Sequence, residues 1–250
     1  MPILETEAVT KRFGTFTAVD RVTVGIEEGE TLGIIGPNGA GKTTFFNLLS
    51  GYFVPDEGRV ILGGKDITGL PPHERIRMGM ARTFQLVSVF DNLSVFDNVL
   101  LSAVRFSQFF ERKRLFYFGG KRVGVSLQEK VTDVLKEVGI APQFYRQSAQ
   151  FLSYGNRRKL EMAMALIQEP RILLLDEPFS GLGDAEIPEL FSLIKELKKR
   201  MTIVLIEHKI SFVLDLVERL LVMHEGRIIA DGLPRVVIDE EHVRKVYWGS

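Results

Sequence analysis

Short apolar runs alternate along this chain with stretches whose apolar residues recur every three to four positions, the pattern of an α/β fold with a largely parallel central sheet. Residues 32–35, 172–175 and 202–206 are predicted strands of that sheet. Two of them run directly into polar pairs, Asp176-Glu177 and Glu207-His208. In open α/β sheets ligands bind at the carboxyl ends of strands, which singles these pairs out. Residues 3–9, 22–26 and 59–62 read as shorter strands separated by Gly and Asp turns. Glu225-Gly226 reads as a hairpin turn between 220–223 and 227–230. Together they predict a small antiparallel layer beside the main sheet. The middle is helical. Ser126-x-x-Glu129 predicts a capping box that opens a helix with Leu127, Val131, Val134, Leu135 and Val138 on one face, stopped at Gly139. A second helix is predicted over about 156–168, ending before Pro170. A third carries Ile187, Leu190, Phe191, Ile194 and Leu197, with Asp184 as its cap. No repeat or low-complexity linker interrupts this order.

The chain has 250 residues, enough for one large domain or one domain with a subdomain. Lys+Arg and Asp+Glu number 32 each, so bulk charge gives no reason to expect a nucleic-acid partner. There is no cysteine, which excludes disulfides and thiolate metal sites. The start, Met1-Pro2-Ile3-Leu4-Glu5, lacks the basic-then-apolar order of a signal peptide. No apolar run approaches the roughly 20 residues that span a bilayer. The expectation is a protein soluble by itself, which leaves open work at a membrane through partners.

The densest chemistry follows the first predicted core strand. Gly36-Pro37-Asn38-Gly39-Ala40-Gly41-Lys42-Thr43-Thr44 fits the Gly-x-x-x-x-Gly-Lys-[Ser/Thr] phosphate-binding loop, and a plausible helix starts near Lys42. Glycines let the backbone curl so that successive N–H groups face phosphate oxygens, and the helix N-terminus adds partial positive charge. Lys42 is expected to reach the β- and γ-phosphates, and the Thr43 hydroxyl to ligate Mg²⁺. Such a loop needs a Mg²⁺-positioning acid, and the strand 172–175 delivers one in Asp176. Glu177 beside it is expected to act as general base on the attacking water. Residues 105–122 interleave Phe106, Phe109, Phe110, Phe116, Tyr117 and Phe118 with arginines and lysines. Three readings stand for them: core aromatics with a solvated basic face, a docking surface for a membrane partner or lipid headgroups, and base stacking.

Between these motifs lies Leu152-Ser153-Tyr154-Gly155-Asn156, which resembles the Leu-Ser-Gly-Gly-Gln signature of ATP-binding cassette (ABC) ATPases. The order of phosphate loop, signature and Asp-Glu strand is that of the family. Tyr154 and Asn156 depart from the pattern, whereas Ser153 and Gly155, which in the family face the γ-phosphate of the opposing subunit, are kept. The resemblance implies further roles. Gln85, in Arg82-Thr83-Phe84-Gln85, matches the Gln loop that touches Mg²⁺ and the attacking water. His208 matches the switch histidine on the γ-phosphate, and Phe13 the aromatic that stacks on adenine. The family's Ser-Ala-Leu-Asp stretch is here Ser180-Gly181-Leu182-Gly183-Asp184, with the acid displaced by one.

The resemblance covers essentially the whole chain. It implies a P-loop NTPase (RecA-like) core with an antiparallel β subdomain, formed by 1–88 and 170–250, and an inserted helical subdomain, 89–169. It implies ATP and Mg²⁺ as cofactors. The implied partners are a second ATPase subunit, the same or related, and integral membrane permease subunits at the cytoplasmic face of the membrane. A periplasmic or extracellular solute-binding protein would take part indirectly, and no nucleic acid is implied. The Arg82–Gln85 segment, Val89-Phe90-Asp91-Asn92-Leu93-Ser94-Val95, the aromatic-basic stretch and the ending Val246-Tyr247-Trp248-Gly249 are similar to the ATP-binding subunits of branched-chain amino-acid importers. Related subunits serve urea or lipopolysaccharide transport. An ABC ATPase acting on nucleic acid or ribosomes is the alternative from another class, and this chain lacks the tandem cassette or sustained heptads that often mark it.

Overall fold

A computed structural model describes residues 2–85, 87–111 and 122–248. In chain order the elements are β1 (Leu4–Phe13), β2 (Phe16–Ile26), β3 (Thr31–Ile35), α1 (Lys42–Ser50), β4 (Glu57–Leu62), β5 (Lys65–Asp66), α2 (Pro72–Arg77) and β6 (Met80–Arg82). Then come α3 (Val95–Glu111), α4 (Arg122–Glu137), α5 (Tyr154–Leu166), β7 (Ile172–Asp176), α6 (Ile187–Leu197) and β8 (Thr202–Ile206). The chain closes with α7 (Ile210–Leu216), β9 (Arg219–His224), β10 (Arg227–Gly232), α8 (Pro234–Val237) and α9 (Glu241–Trp248). These fall into two compact units. The first comprises Met1–Arg82, Arg171–Pro178 and Ile194–Ser250; the second comprises Thr83–Pro170 and Phe179–Leu193.

The first unit holds both sheets. One is six-stranded, in the order β10-β9-β3-β8-β7-β6, parallel except for the β9–β10 hairpin. Every residue of β3, β7 and β8 is buried, as apolar strands covered on both faces must be. The second sheet is antiparallel, in the order β2-β1-β4-β5. It is the antiparallel layer expected from the sequence, with β1 and β2 running further toward a tight turn at Gly14. The 220–230 hairpin expected in it joins the main sheet instead, as β9 and β10, because β9 pairs in parallel with β3. The turn between β9 and β10 is Glu225-Gly226, both with positive φ, as a two-residue hairpin requires. A core of Leu32, Ile34, Phe45, Phe46, Leu174, Val204 and Ile206 packs α1 and the sheets together. Arg75 is fully buried there. Its guanidinium donates to the carbonyls of Leu48 and Leu49 at the end of α1 and to those of Thr68 and Leu70. Burial pulls its pKa down to about 10. A cation at a helix C-terminus meets carbonyls that have no partner within the helix.

The second unit is helical. Val95, Val99 and Ala103 of α3, Val131 and Leu135 of α4, Val138 just after it, and Leu160 of α5 are buried. The helix α4 begins at Arg122, one turn before Ser126, so Ser126 and Glu129 lie inside it. They cannot form the expected capping box, because a cap residue needs non-helical backbone. Its other end is as expected, with Gly139 at φ 74° and Ile140 N–H donating to Leu135 C=O at 3.0 Å. The bounds expected from the sequence put 83–88 and 179–193 with the core, whereas both fall in the helical unit. Residues 83–88 do so because backbone there is hydrogen-bonded to Arg158 and Glu161 of α5. Residues 179–193 do so because their side chains engage α5: Glu189 pairs with Lys159, and Glu186 reaches Gly155. Residues 112–121, most of the aromatic-basic stretch, lie outside the described residues, as do Leu86 and Gly249.

Candidate functional site

Parallel register brings the carboxyl ends of three strands level in the first unit. Ile34 of β3 pairs with Ile206 of β8, and Ile206 with Asp176 of β7. The phosphate loop leaves β3, Glu177 follows β7, and His208 follows β8. Two glycines in the loop are there for want of space. A Cβ at Gly36 would lie 2.3 Å from the Met223 carbonyl oxygen; one at Gly41, which has φ 98°, would lie 2.2 Å from that of Ala18. Only a residue without a side chain passes so close to backbone. Gly41 is the N-cap of α1, which starts at Lys42. The Lys42 ammonium donates to the carbonyls of Gly36 at 2.7 Å and Pro37 at 3.0 Å, closing the loop on itself. Burial pulls its pKa down, and the carboxylates of Glu177 and Asp176 work against that. Asn38, Gly39 and Thr43 are exposed, while Ala40 is buried and Pro37 and Thr44 are partly so.

The acids behind the loop have distinct settings. Asp176 is buried and its Oδ2 accepts from Arg82 at 2.8 Å. Arg82 is itself fixed by Asn47 and Ser50 of α1, both at 2.7 Å, and lies over the Phe46 ring. Glu177 has φ 48°, uncommon for a side chain of its size, and its N–H donates to the Ile206 carbonyl at 3.0 Å. Its carboxylate Oε1 lies 2.8 Å from His208 Nε2. With Glu177 ionised, that nitrogen carries the proton and donates it. Buried Glu207 accepts the His208 N–H at 3.0 Å, which fixes the turn that presents the imidazole. Phe13 stands 46% exposed at the β1–β2 turn, its ring edge-to-face with Phe53 at 5.5 Å. An exposed ring face braced from behind can stack a flat ligand.

The other expected site residues, Gln85, Ser153 and Gly155, belong to the second unit. The helix α5 starts at Tyr154 rather than near 156, because the Ser153 oxygen accepts the Asn156 N–H at 3.3 Å and caps it. A carboxylate already lies against this cap. Glu186 accepts the N–H of Gly155 at 3.0 Å and that of Gly183 at 3.3 Å, and takes a hydrogen bond from the Ser153 hydroxyl. Burial alone would raise the Glu186 carboxyl. Those donors and Lys159 outweigh burial and hold it below the ordinary range. Asp184 makes no side-chain hydrogen bond among the described residues, so it is not the cap of α6 expected from the sequence; the Ile187 N–H donates instead to the Gly183 carbonyl at 3.2 Å. Tyr154 fits because Gly181 has no side chain: a Cβ there would lie 2.9 Å from the tyrosine ring. The Arg158 guanidinium covers the same ring at 5.7 Å. Sequence reasoning passed over Arg75, Arg82, Glu186, Arg158 and Glu161. The one signal available was a charged residue inside an otherwise apolar or helical run.

The donor set suits ATP and Mg²⁺. Curled N–H groups, a helix N-terminus and a buried lysine make an anion site. An exposed threonine hydroxyl and a buried carboxylate are hard oxygen donors of the kind Mg²⁺ takes when it keeps water and phosphate as its other ligands.

Residues 19–180 match the ABC transporter family. The chain is 38% identical, over 100% of its length and 98% of the relative's, to the high-affinity branched-chain amino acid transport ATP-binding protein BraF of Pseudomonas aeruginosa. It is 34% identical, with the same coverage, to the LivG protein of Escherichia coli, described in the same words. It is 36% identical, over 99% of its length and 97% of the relative's, to the lipopolysaccharide export system ATP-binding protein LptB of Acidithiobacillus ferridurans. Among solved structures, a nucleotide-free ATP-binding cassette from an ABC transporter matches over 100% of both chains at 32% identity, with a TM-score of 0.85. An ATP-binding cassette in its ADP conformation matches equally well.

Proposed function

The chain belongs to the ABC transporter family as one of its ATPases, and from that premise we propose that it powers import of branched-chain amino acids. The observation that carries the chemical part is the row of Lys42, Asp176, Glu177 and His208 at the ends of three parallel strands. Lys42, already desolvated, exchanges the carbonyls of Gly36 and Pro37 for the β- and γ-phosphate oxygens. The loop N–H groups of 36–44 hold the remaining phosphate charge, and Phe13 stacks on the adenine. Glu177 takes the proton of the attacking water, and His208 donates to the γ-phosphate. Mg²⁺, held by Thr43, Asp176 and Gln85, would neutralise charge between the β- and γ-phosphates.

Two subunits, identical or related, close head to tail in this reading. Ser153 and Gly155 of one then meet the γ-phosphate held by the other. ATP gains contacts only in the closed pair, so binding favours closure, and loss of the γ-phosphate favours reopening. Polytopic permease subunits ride on that motion at the cytoplasmic face of the membrane, fed by a solute-binding protein outside. No helix among the described residues is long and apolar enough to cross a membrane. The likeness to BraF and LivG over their full length supports the solute class. The likeness to LptB favours a second reading, an ATPase of lipopolysaccharide transport. Purification from membranes followed by uptake assays decides. Co-purifying polytopic subunits and loss of leucine, isoleucine and valine uptake in a deletion strain are expected. Intact uptake with a lipopolysaccharide defect selects the second reading, and recovery with ribosomes or DNA would sink both.

A further inference from the structure

Two charges buried in the helical unit are unaccounted for by the proposed chemistry. Arg158 and Glu161, one turn apart on α5, are 2% and 5% exposed and pair at 3.0 Å. Charged side chains are almost never buried this fully unless they are paired. Here the pair reaches into an irregular segment. Glu161 accepts the Phe84 N–H at 2.9 Å and also the Ser88 N–H. The Arg158 guanidinium donates to the carbonyls of Phe84 and Gln85. Backbone on both sides of Gln85 is therefore held by one helix. That helix is the one whose first turn carries Ser153 and Gly155.

We infer that Arg158 and Glu161 are positioning residues for ATP hydrolysis, clamping the backbone around Gln85 to the signature helix so that α5 aims its side chain. The inference rests on the reading of Gln85 as a group that meets the attacking water. A side chain on unanchored loop backbone loses aim, and small misplacements of a reacting group cost rate steeply. The clamp gives the loop a helix's rigidity without making it helical. It also makes Gln85 and Ser153 parts of one body, so whatever moves α5 moves both. Burial pushes the Glu161 carboxyl up, while the Phe84 N–H, Arg158 and the Ser88 N–H work against that. A neutral glutamine at 161 keeps the shape and weakens the hold.

The test measures steady-state ATPase and equilibrium ATP binding on the full chain carrying Glu161→Gln, Gln85→Ala, or both. Glu161→Gln is expected to lower kcat about tenfold with KM and ATP affinity within about twofold, the signature of a lost transition-state interaction. The double variant is expected to be no slower than Gln85→Ala alone, since residues acting as a unit are not additive. Additive losses would overturn the inference, as would a normal kcat in Glu161→Gln while Gln85→Ala is slow. Normal turnover by Gln85→Ala would instead remove the reading of Gln85, and the clamp's purpose with it. If Glu161→Gln unfolds because Arg158 is left as a lone buried charge, Arg158→Gln combined with Glu161→Gln leaves none. A folded double-glutamine variant is expected to be equally slow, and wild-type kcat there would overturn the clamp. Arg158→Lys is expected to stay slow, because an ammonium cannot span two carbonyls as the planar fork does; full activity would count against it.

Discussion

The phosphate-loop end and the signature end of this chain are shaped by opposite means. At the first, backbone does the shaping. Gly36 and Gly41 pass within van der Waals distance of other strands' carbonyls, and Lys42 ties the loop back to itself. At the second, side chains do it. Glu186 covers the Gly155 N–H, Tyr154 fills the space over Gly181, and Arg158 with Glu161 binds the Gln85 segment. Backbone contacts leave no slack, whereas the far end of a glutamate can swing aside. The phosphate loop is thus a fixed mould, and the Glu186-covered turn at Gly155 an adjustable one.

The comparison breaks most sharply at Glu177. Glu177→Gln is expected to cut kcat by about a hundredfold or more while ATP still binds, as for loss of a general base. A trapped ATP-bound dimer on size exclusion would sharpen the picture, and normal turnover would remove Glu177 as the base. Next come the two glycines. Gly41→Ala drives a Cβ into a carbonyl and demands positive φ, so a loss of about 3 kcal/mol in denaturant unfolding is expected. Gly155→Ala first meets the movable Glu186 side chain, at 2.6 Å, and a loss under about 1 kcal/mol is expected. Equal losses would erase the distinction between mould and adjustable end. Arg75→Met, which strips partners from the end of α1, is expected to cost about 3 kcal/mol by the same measurement.

The smallest effect concerns pH. The Glu186 carboxyl is held below its ordinary value in the fold, so its stabilisation is complete above the ordinary carboxyl range and is lost as pH falls through the lowered value. Glu186→Gln is expected to lower the melting temperature at pH 7 by about 2 °C, a modest cap's worth. The gap to wild type should close as pH drops below about 4. A constant gap would mean that charge at Glu186 does not matter.

The two ends also differ in how far they could be read from residues alone. The core strands were legible because they are continuous apolar runs, and the phosphate loop because its backbone demands glycine, which shows in the sequence. The helical unit gave up less. Ser126 looked like a cap, but helical backbone from Arg122 overrides a local signal. Glu186 was invisible because its partners, Gly155 and Gly183, owe their nearness to tertiary folding. Nothing in the residues alone sets Arg158 and Glu161 apart from other charges on a helix. Only the placement of Phe84 and Gln85 over that helix shows that they are buried.

The positive φ of Glu177 has a consequence for anyone breeding a hardier version of this protein. A left-handed backbone under a large side chain costs of order 1 kcal/mol or more, which glycine would give back. Selection for heat resistance alone would therefore favour replacing the residue proposed as the general base. The gain in durability and the loss of catalysis would arrive in a single step.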